Sequence, residues 1–155
     1  MVPAPQPGCL LPPGTVLTEV FDVTGPSVGV VYHPPVSTIV NAYLGPDTKE
    51  WVRTALAGGC PAEAGTDSIA LHLKRVTLAE SASEARVSSG AFVDFEVLAW
   101  SNGQWRIRCT AEGETLRKAD PNDEGRHARH LIDALQSGIS KYAIARAAGQ
   151  LTDKP

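Results

Sequence analysis

Histidines, cysteines and carboxylates carry whatever chemistry this 155-residue chain can do. His127 and His130 stand three apart in the stretch EGRHARH, with Glu124 three before the first. A catalytic zinc site takes three protein ligands and keeps one position open. The stretch departs from HExxH, which sets its histidines four apart with a glutamate beside the first. Arg126 and Arg129 inside it would also repel a cation, so both histidines are expected to be solvated or to cap a helix. No metal or cofactor is expected. His72 alternates with Leu71 and Leu73 and is expected on the less buried face of a strand.

Cys9, Cys60 and Cys109 form no CxxC pair, which excludes the common zinc-knuckle and thioredoxin-like patterns. Two readings stay open: three separate thiols, or a Cys9–Cys60 bridge between two Gly/Pro-rich loops with Cys109 free. Cys109 falls inside a predicted strand as a small buried hydrophobe. Asp94 and Glu96 lie on one face of one strand, about 7 Å apart. That face also carries Phe92, Leu98 and Trp100. Acid–base work needs carboxylates that converge from different elements, so these acids are expected to extend past the helical cover into water. GxGxxG, GxxxxGK[ST] and GxSxG are all absent, which leaves no phosphate cradle or nucleophile elbow of those kinds. No enzyme is expected.

Arg106 and Arg108 share a strand face and form a small basic patch, with Lys74 and Arg75 as candidate neighbours. Fourteen Lys plus Arg against 17 Asp plus Glu give a net charge of −3, which argues against a nucleic-acid partner. No apolar run is long enough to span a bilayer. MVPAPQPGCLLPPG lacks the cationic stretch and apolar core of a secretory signal, so a cytosolic chain and one relieved of its signal remain alternatives.

The elements that must position these residues are readable in outline. Nine of the 12 prolines fall in residues 3–46. Residues 1–15 therefore read as a flexible Pro-rich arm, 16–149 as a single α+β domain and 150–155 as a tail. Residues 16–43 alternate short β-prone runs with the breaks Gly25-Pro26 and Pro34-Pro35. Pro46-Asp47-Thr48-Lys49-Glu50 is a helix start, with Asp47 as cap and Glu50 three positions on. Trp51, Val52, Ala55 and Leu56 make its apolar stripe, and Gly58-Gly59 should end it in a left-handed turn. Ile69, Leu71 and Leu73 alternate as a strand. Residues 74–86 look like a polar connection, and 87–100 like a long strand bent at Gly90.

Asn102-Gly103 predicts a type I′ hairpin turn. It pairs Trp100 with Trp105, Leu98 with Ile107 and Glu96 with Cys109, and on the reverse face Ala99 with Arg106 and Val97 with Arg108. A second helix carries Ala128, Leu131, Leu135, Ile139, Tyr142 and Ala143 as its stripe and ends at Gly149. Gly138 costs its middle about 1 kcal/mol relative to alanine. Arg126, Arg129, Lys141 and Arg146 form a plain polar face. The resulting fold class is α+β: a two-layer sandwich, its sheet mostly antiparallel, with both helices on one face.

The order KEWVRTALAGG, DSIALHLKRV, FVDFEVLAW, QWRIRCTAEG and HLIDALQSGISKYAIARAA resembles the small periplasmic domains of lipid-anchored bacterial envelope proteins. The likeness is to auxiliary lipoproteins of ABC-type lipid transport systems and to YajG-like lipoproteins, over residues 16–149. Trp51 occupies the place of that group's helix tryptophan and Asp67 that of its strand-opening aspartate. The closing helix corresponds to residues 130–147. One departure is that Cys9 follows Gln6-Pro7-Gly8 with no hydrophobic run, so it is not shown to be a lipid anchor.

The resemblance implies a non-enzymatic envelope protein that docks on a protein partner through a sheet edge or an exposed sheet face. Its location would be periplasmic, with an outer-membrane anchor in a segment outside this chain, and a cytoplasmic location is the alternative. The candidate surface comprises Phe92, Asp94, Glu96, Trp100, Trp105, Arg106 and Arg108. A small-ligand binder using the aromatic face, and an enzyme with a site not recognisable from sequence, are the alternative functions.

Overall fold

A computed structural model of the chain describes residues 2, 5–22, 27–33, 38–45, 47–61, 67–83, 86–120, 123 and 125–155. Gly25-Pro26, Pro34-Pro35, Pro46 and Glu124 lie outside the described residues. The elements run β1 (Thr15–Asp22), β2 (Ser27–His33), β3 (Thr38–Tyr43), α1 (Thr48–Ala57), β4 (Asp67–Ser83), β5 (Arg86–Ser101), β6 (Gln104–Ala119) and α2 (Arg126–Ala147). One sheet is ordered β3-β2-β4-β5-β6, and β1 pairs β4 off that path. β1 runs parallel to the first half of β4, from Thr15↔Asp67 to Asp22↔Leu73. β2 is parallel to it farther along, at Gly29↔Leu78. The remaining pairings are antiparallel. The sheet is thus mixed and mainly antiparallel.

Both helices bury their stripes in one core. Trp51, Val52 and Leu56 of α1 and Leu131, Leu135 and Ile139 of α2 join the strand residues Leu71, Leu73, Val93, Phe95 and Val97 in a single cluster. In α1 the Asp47 side chain accepts a hydrogen bond from Glu50 N at 2.7 Å, as the cap reading requires. Its end differs from expectation. Gly58 has φ −59°, an ordinary right-handed helical value. What needs glycine there is space, because a Cβ on Gly58 would meet Thr54 O at 2.7 Å and Pro7 Cβ at 3.3 Å.

That contact also corrects the reading of the first fifteen residues as a loose arm. Gly8 N donates to Thr54 O, Leu10 N to Leu56 O and Gly59 N to Gly8 O. Val2 is buried and bridges Leu44 in parallel. Cys9 and Cys60 are joined in a disulfide, and Cys109 is free. Residues 150–155 are not a free tail either. Thr152 N donates to Arg108 O, and Ile107 and Lys154 exchange backbone bonds along the outer edge of β6.

Residues 74–86, expected as a connection, are mostly strand. β4 continues to Ser83, and its pairing with β5 runs to Ser83↔Arg86. Lys74 is skipped in that register, which jumps between Leu73 and Arg75. Such a bulge moves the core face from odd to even residues, so Ile69, Leu71 and Leu73 are followed inward by Val76 and Leu78. No irregularity marks Gly90, which pairs in register with Leu116; its missing Cβ makes room for Thr115 O, 2.9 Å from where that atom would stand.

α2 docks through two glycines. A Cβ on Gly113 of β6 would lie 1.8 Å from Ala134 O, and one on Gly138 would lie 2.6 Å from Phe95 Cε1. The helix backbone therefore rests directly on β6, and the Phe95 ring fills the gap under Gly138. The helix-propensity cost of Gly138 buys this approach. Gly113→Ala is expected to lower the free energy of unfolding by about 1–3 kcal/mol, because α2 must lift as a unit. Urea unfolding followed by tryptophan fluorescence measures it, and an unchanged midpoint would contradict the docking.

Candidate functional site

Alternation along β5 divides the expected surface. Ala91, Val93, Phe95 and Val97 are buried toward the helices. Phe92, Asp94, Glu96, Leu98 and Trp100 point to the other side of the sheet. Sequence reasoning expected the helices on this second set, and the structure puts them on the first. The acids on an apolar row are thereby explained: the row faces away from both helices along its length.

The turn end of this open face holds three rings. Asn102 and Gly103 adopt φ 53° and 78°, as a type I′ turn demands. Trp100 then pairs with Trp105, ring centroids 5.2 Å apart and edge to face. Trp105 also meets Phe21 at 5.5 Å. β1 and β6 are three strand spacings apart, about 14 Å, so these side chains must lie flat across β4 and β5 to touch. This accounts for the burial of Ala70 and Leu98, which sit on the open side at 0% and 8% exposure. Trp100 itself is 60% exposed and Phe21 36%.

Farther along, the His72 ring Nδ1 lies 3.0 Å from Glu96 Oε1. His72 is half-buried on the open side, as expected. The guanidinium of Arg75 stands over Phe92, 5.1 Å from the ring centroid. Asp94 faces Glu112 across the β5–β6 ladder, and Phe92 faces Glu114.

Arg106 does not join this surface, and Arg108 is left out of the ladder altogether. The ladder places Val97 against Cys109 and Glu96 against Thr110, correcting the expected pairing by one residue, because Arg108 is the extra residue of a bulge. Arg108 Nε is buried without a hydrogen-bond partner among the described residues. Arg106, on the reverse side, is taken by the C-terminal segment: its Nε donates to Asp153 Oδ1 and its Nη2 to Asp153 O. Burial pushes the Cys109 thiol up, so it is a poor nucleophile.

A second cluster, missed in the sequence, gathers where β4, β5 and the start of α2 meet. Arg126 is 1% exposed and Glu80 wholly buried. Arg126 Nε and Nη2 donate to the two Glu80 carboxylate oxygens at 2.8 and 2.9 Å. His127 Nε2 lies 3.1 Å from Glu80 Oε1 without hydrogen-bond alignment. His130 is buried, its Nδ1 3.0 Å from Ser89 Oγ. His130 is not solvated and His127 is only partly so, and the start of α2 has no side-chain cap, where both were expected to be solvated or to cap a helix. Beside them a cleft of about 400 Å³ is lined by Arg117, Lys118, Asp123, Arg129, His130 and Asp133, among others. Its charges are largely used internally: Arg129 holds Asp123, which keeps that carboxyl below its usual range, and Arg117 reaches Asp133. Ser89 has 0% exposure, so no substrate atom reaches its hydroxyl.

Burial, reinforced by Arg129 and Arg117, holds the His130 imidazole below its ordinary pKa of 6.5. The unfolded chain binds this proton more readily than the folded one. Stability from this group is therefore complete above pH 6.5 and is lost as pH falls through the lowered folded value. His130→Gln is expected to flatten the fall of unfolding free energy that sets in as pH drops below about 6.5, measured by urea unfolding across that range. Parallel slopes for the two proteins would contradict the assignment.

Arg146 is likewise no plain surface charge. It donates to Asp67 Oδ2, Thr15 Oγ1 and Pro13 O, tying the end of α2 to the starts of β1 and β4. Tyr142 OH adds a bond to Asp67. Asp67 thus opens β4 as a structural anchor.

No protein-family model and no curated protein matches the chain. Among solved structures, a minor lipoprotein from Acinetobacter baumannii is similar over 60% of this chain and 75% of its own, at 13% identity and a TM-score of 0.38. A likeness of that degree decides neither family nor function. Among the described residues no helix is long and apolar enough to cross a membrane.

Proposed function

We propose that this is a non-catalytic accessory domain of the bacterial envelope that binds a protein partner through the open face of its sheet. The observation that carries the reading is the Phe21–Trp105–Trp100 cluster, placed opposite both helices with Trp100 60% exposed. Exposed clustered aromatics mark interaction surfaces, since they supply large contact area at small entropic cost. The polar cleft by α2 is the lesser candidate, because Arg129 is paired with Asp123 and Arg117 with Asp133. A location in the periplasm is supported by the Cys9–Cys60 disulfide, a bond that persists in oxidising compartments. Membership among auxiliary or YajG-like lipoproteins belongs to the same proposal.

Site-specific photo-crosslinking in cells of the source organism tests it. A photoreactive residue at Trp100 or Phe92 is expected to yield a discrete protein adduct. One at Ile144, exposed on α2, is expected to yield none. Adducts from Ile144 alone would overturn the reading.

A further inference from the structure

The open face has a second half that the rings do not explain. Asp94 and Glu112 stand directly opposite each other on β5 and β6, and Glu114 follows on the same side. Like charges so placed repel and cost the sheet stability. Among the described residues none of these three carboxylates forms an ion pair. Arg75 of β4 stands opposite Asp94 in the ladder and makes no ion pair with it among the described residues; its guanidinium is stacked on Phe92 and bonded through Nε to Thr77 Oγ1. Glu96 is engaged by His72. Lys118 pairs with Ser88 only at the far end of the ladder. The face thus runs from an aromatic end at Trp100 to an anionic end at Asp94, Glu112 and Glu114, about 20 Å along the strand.

Resting on the open-face reading, we infer that the partner presents an extended or flat protein surface on which arginine or lysine alternates with aliphatic side chains. Aliphatic groups would cover the rings. Cations would relieve the Asp94–Glu112 repulsion and stack on exposed indole faces. A chain with a net charge of −3 would attract such a surface from a distance as well.

Capped peptides (Arg-Leu)4, (Ser-Leu)4 and (Glu-Leu)4 share their apolar content and length, and each is titrated while the indole signals of Trp100 and Trp105 are followed by NMR. The expected order is (Arg-Leu)4 at least about tenfold tighter than (Ser-Leu)4 at low salt, with (Glu-Leu)4 weakest and the gap shrinking in high salt. The triple substitution Asp94→Asn, Glu112→Gln, Glu114→Gln should abolish the preference and leave (Ser-Leu)4 binding unchanged. Glu112 and Glu114 are exposed and Asp94 half-buried, and near-UV circular dichroism checks the fold. Equal binding of (Arg-Leu)4 and (Ser-Leu)4 at the indoles would overturn the inference and leave the open-face reading standing. Silence of both indoles toward every peptide would sink the two together. Perturbation of Trp100 by phosphatidylcholine–phosphatidylglycerol vesicles, with none by (Arg-Leu)4, would replace the protein partner with a lipid surface.

Discussion

Replacing Glu80 by alanine is expected to destabilise the domain by about 3–5 kcal/mol, because it takes the carboxylate that accepts two hydrogen bonds away from an Arg126 guanidinium with 1% exposure. The loss reflects a buried charge deprived of its carboxylate and not the worth of the ion pair. Removing both partners should therefore cost far less than removing one. Glu80→Met with Arg126→Met keeps the volume and discards both charges, and is expected to recover most of the stability. Urea unfolding of the two single variants and the double variant measures this. A double variant as unstable as the sum of the singles would contradict the account. The pair also holds the first turn of α2 to β4. That end has no side-chain cap at Gly125, so Arg126 does the anchoring there, donating to Asp123 O as well.

Loss of the Cys9–Cys60 bridge is the other change of comparable size. The bridge spans 51 residues, and closing such a loop restricts the unfolded chain by about 4 kcal/mol in the chain-entropy picture. Cys60→Ser, or reductant applied to the natural protein, is expected to lower stability by about 2–5 kcal/mol. The Cys9 side of the bridge belongs to the segment that caps the end of α1. Hydrogen exchange at Gly8, Leu10 and Gly59 should therefore rise before exchange in β5 does. A thiol assay on the unfolded, unreduced chain should count one thiol, that of Cys109. Three thiols would remove the bridge, and with it the support for a periplasmic location.

The sequence is most informative where one residue type meets one geometric demand. Asp47 caps because its carboxylate can reach Glu50 N, and Asn102-Gly103 turns because both residues tolerate positive φ. The stripe from Leu131 to Tyr142 needs only a helical period, and it lands in the core as read. Two of the failures share a cause. Lys74 and Arg108 each insert one residue into a strand, and every residue beyond such an insertion changes face. Val76, Leu78 and Glu80 then look like a polar connection, although they are the inward row of β4. The same shift hid the partner of Arg126, since Glu80 becomes an inward acid only when Lys74 is discounted.

The face assignment failed for another reason. β5 carries apolar residues on both sides, and hydrophobicity alone favours the larger rings at Phe92 and Trp100. Asp94 and Glu96 were the better guide, because two acids on one row are cheap in water and costly beneath a helix. Gly113 and Gly138 offered a further signal. Each is unfavourable to its own element, and together they let α2 meet the backbone of β6 at Gly113 and the Phe95 ring at Gly138. The packed Pro-rich segment gave no comparable sign, since its order comes from backbone bonds to α1 and from one covalent bridge.

The division of the sheet into a covered and an open face supports every functional statement made above. Solvent paramagnetic relaxation tests it most directly, using a neutral gadolinium chelate and NMR of methyl and indole groups. The expected result is strong broadening of the Trp100 indole and the Leu116 methyls, partial broadening at Trp105, and none at Trp51 or at the Val93 and Val97 methyls. Broadening at Val93 and Val97 with protection of Trp100 would place the helices on the other side and end the account.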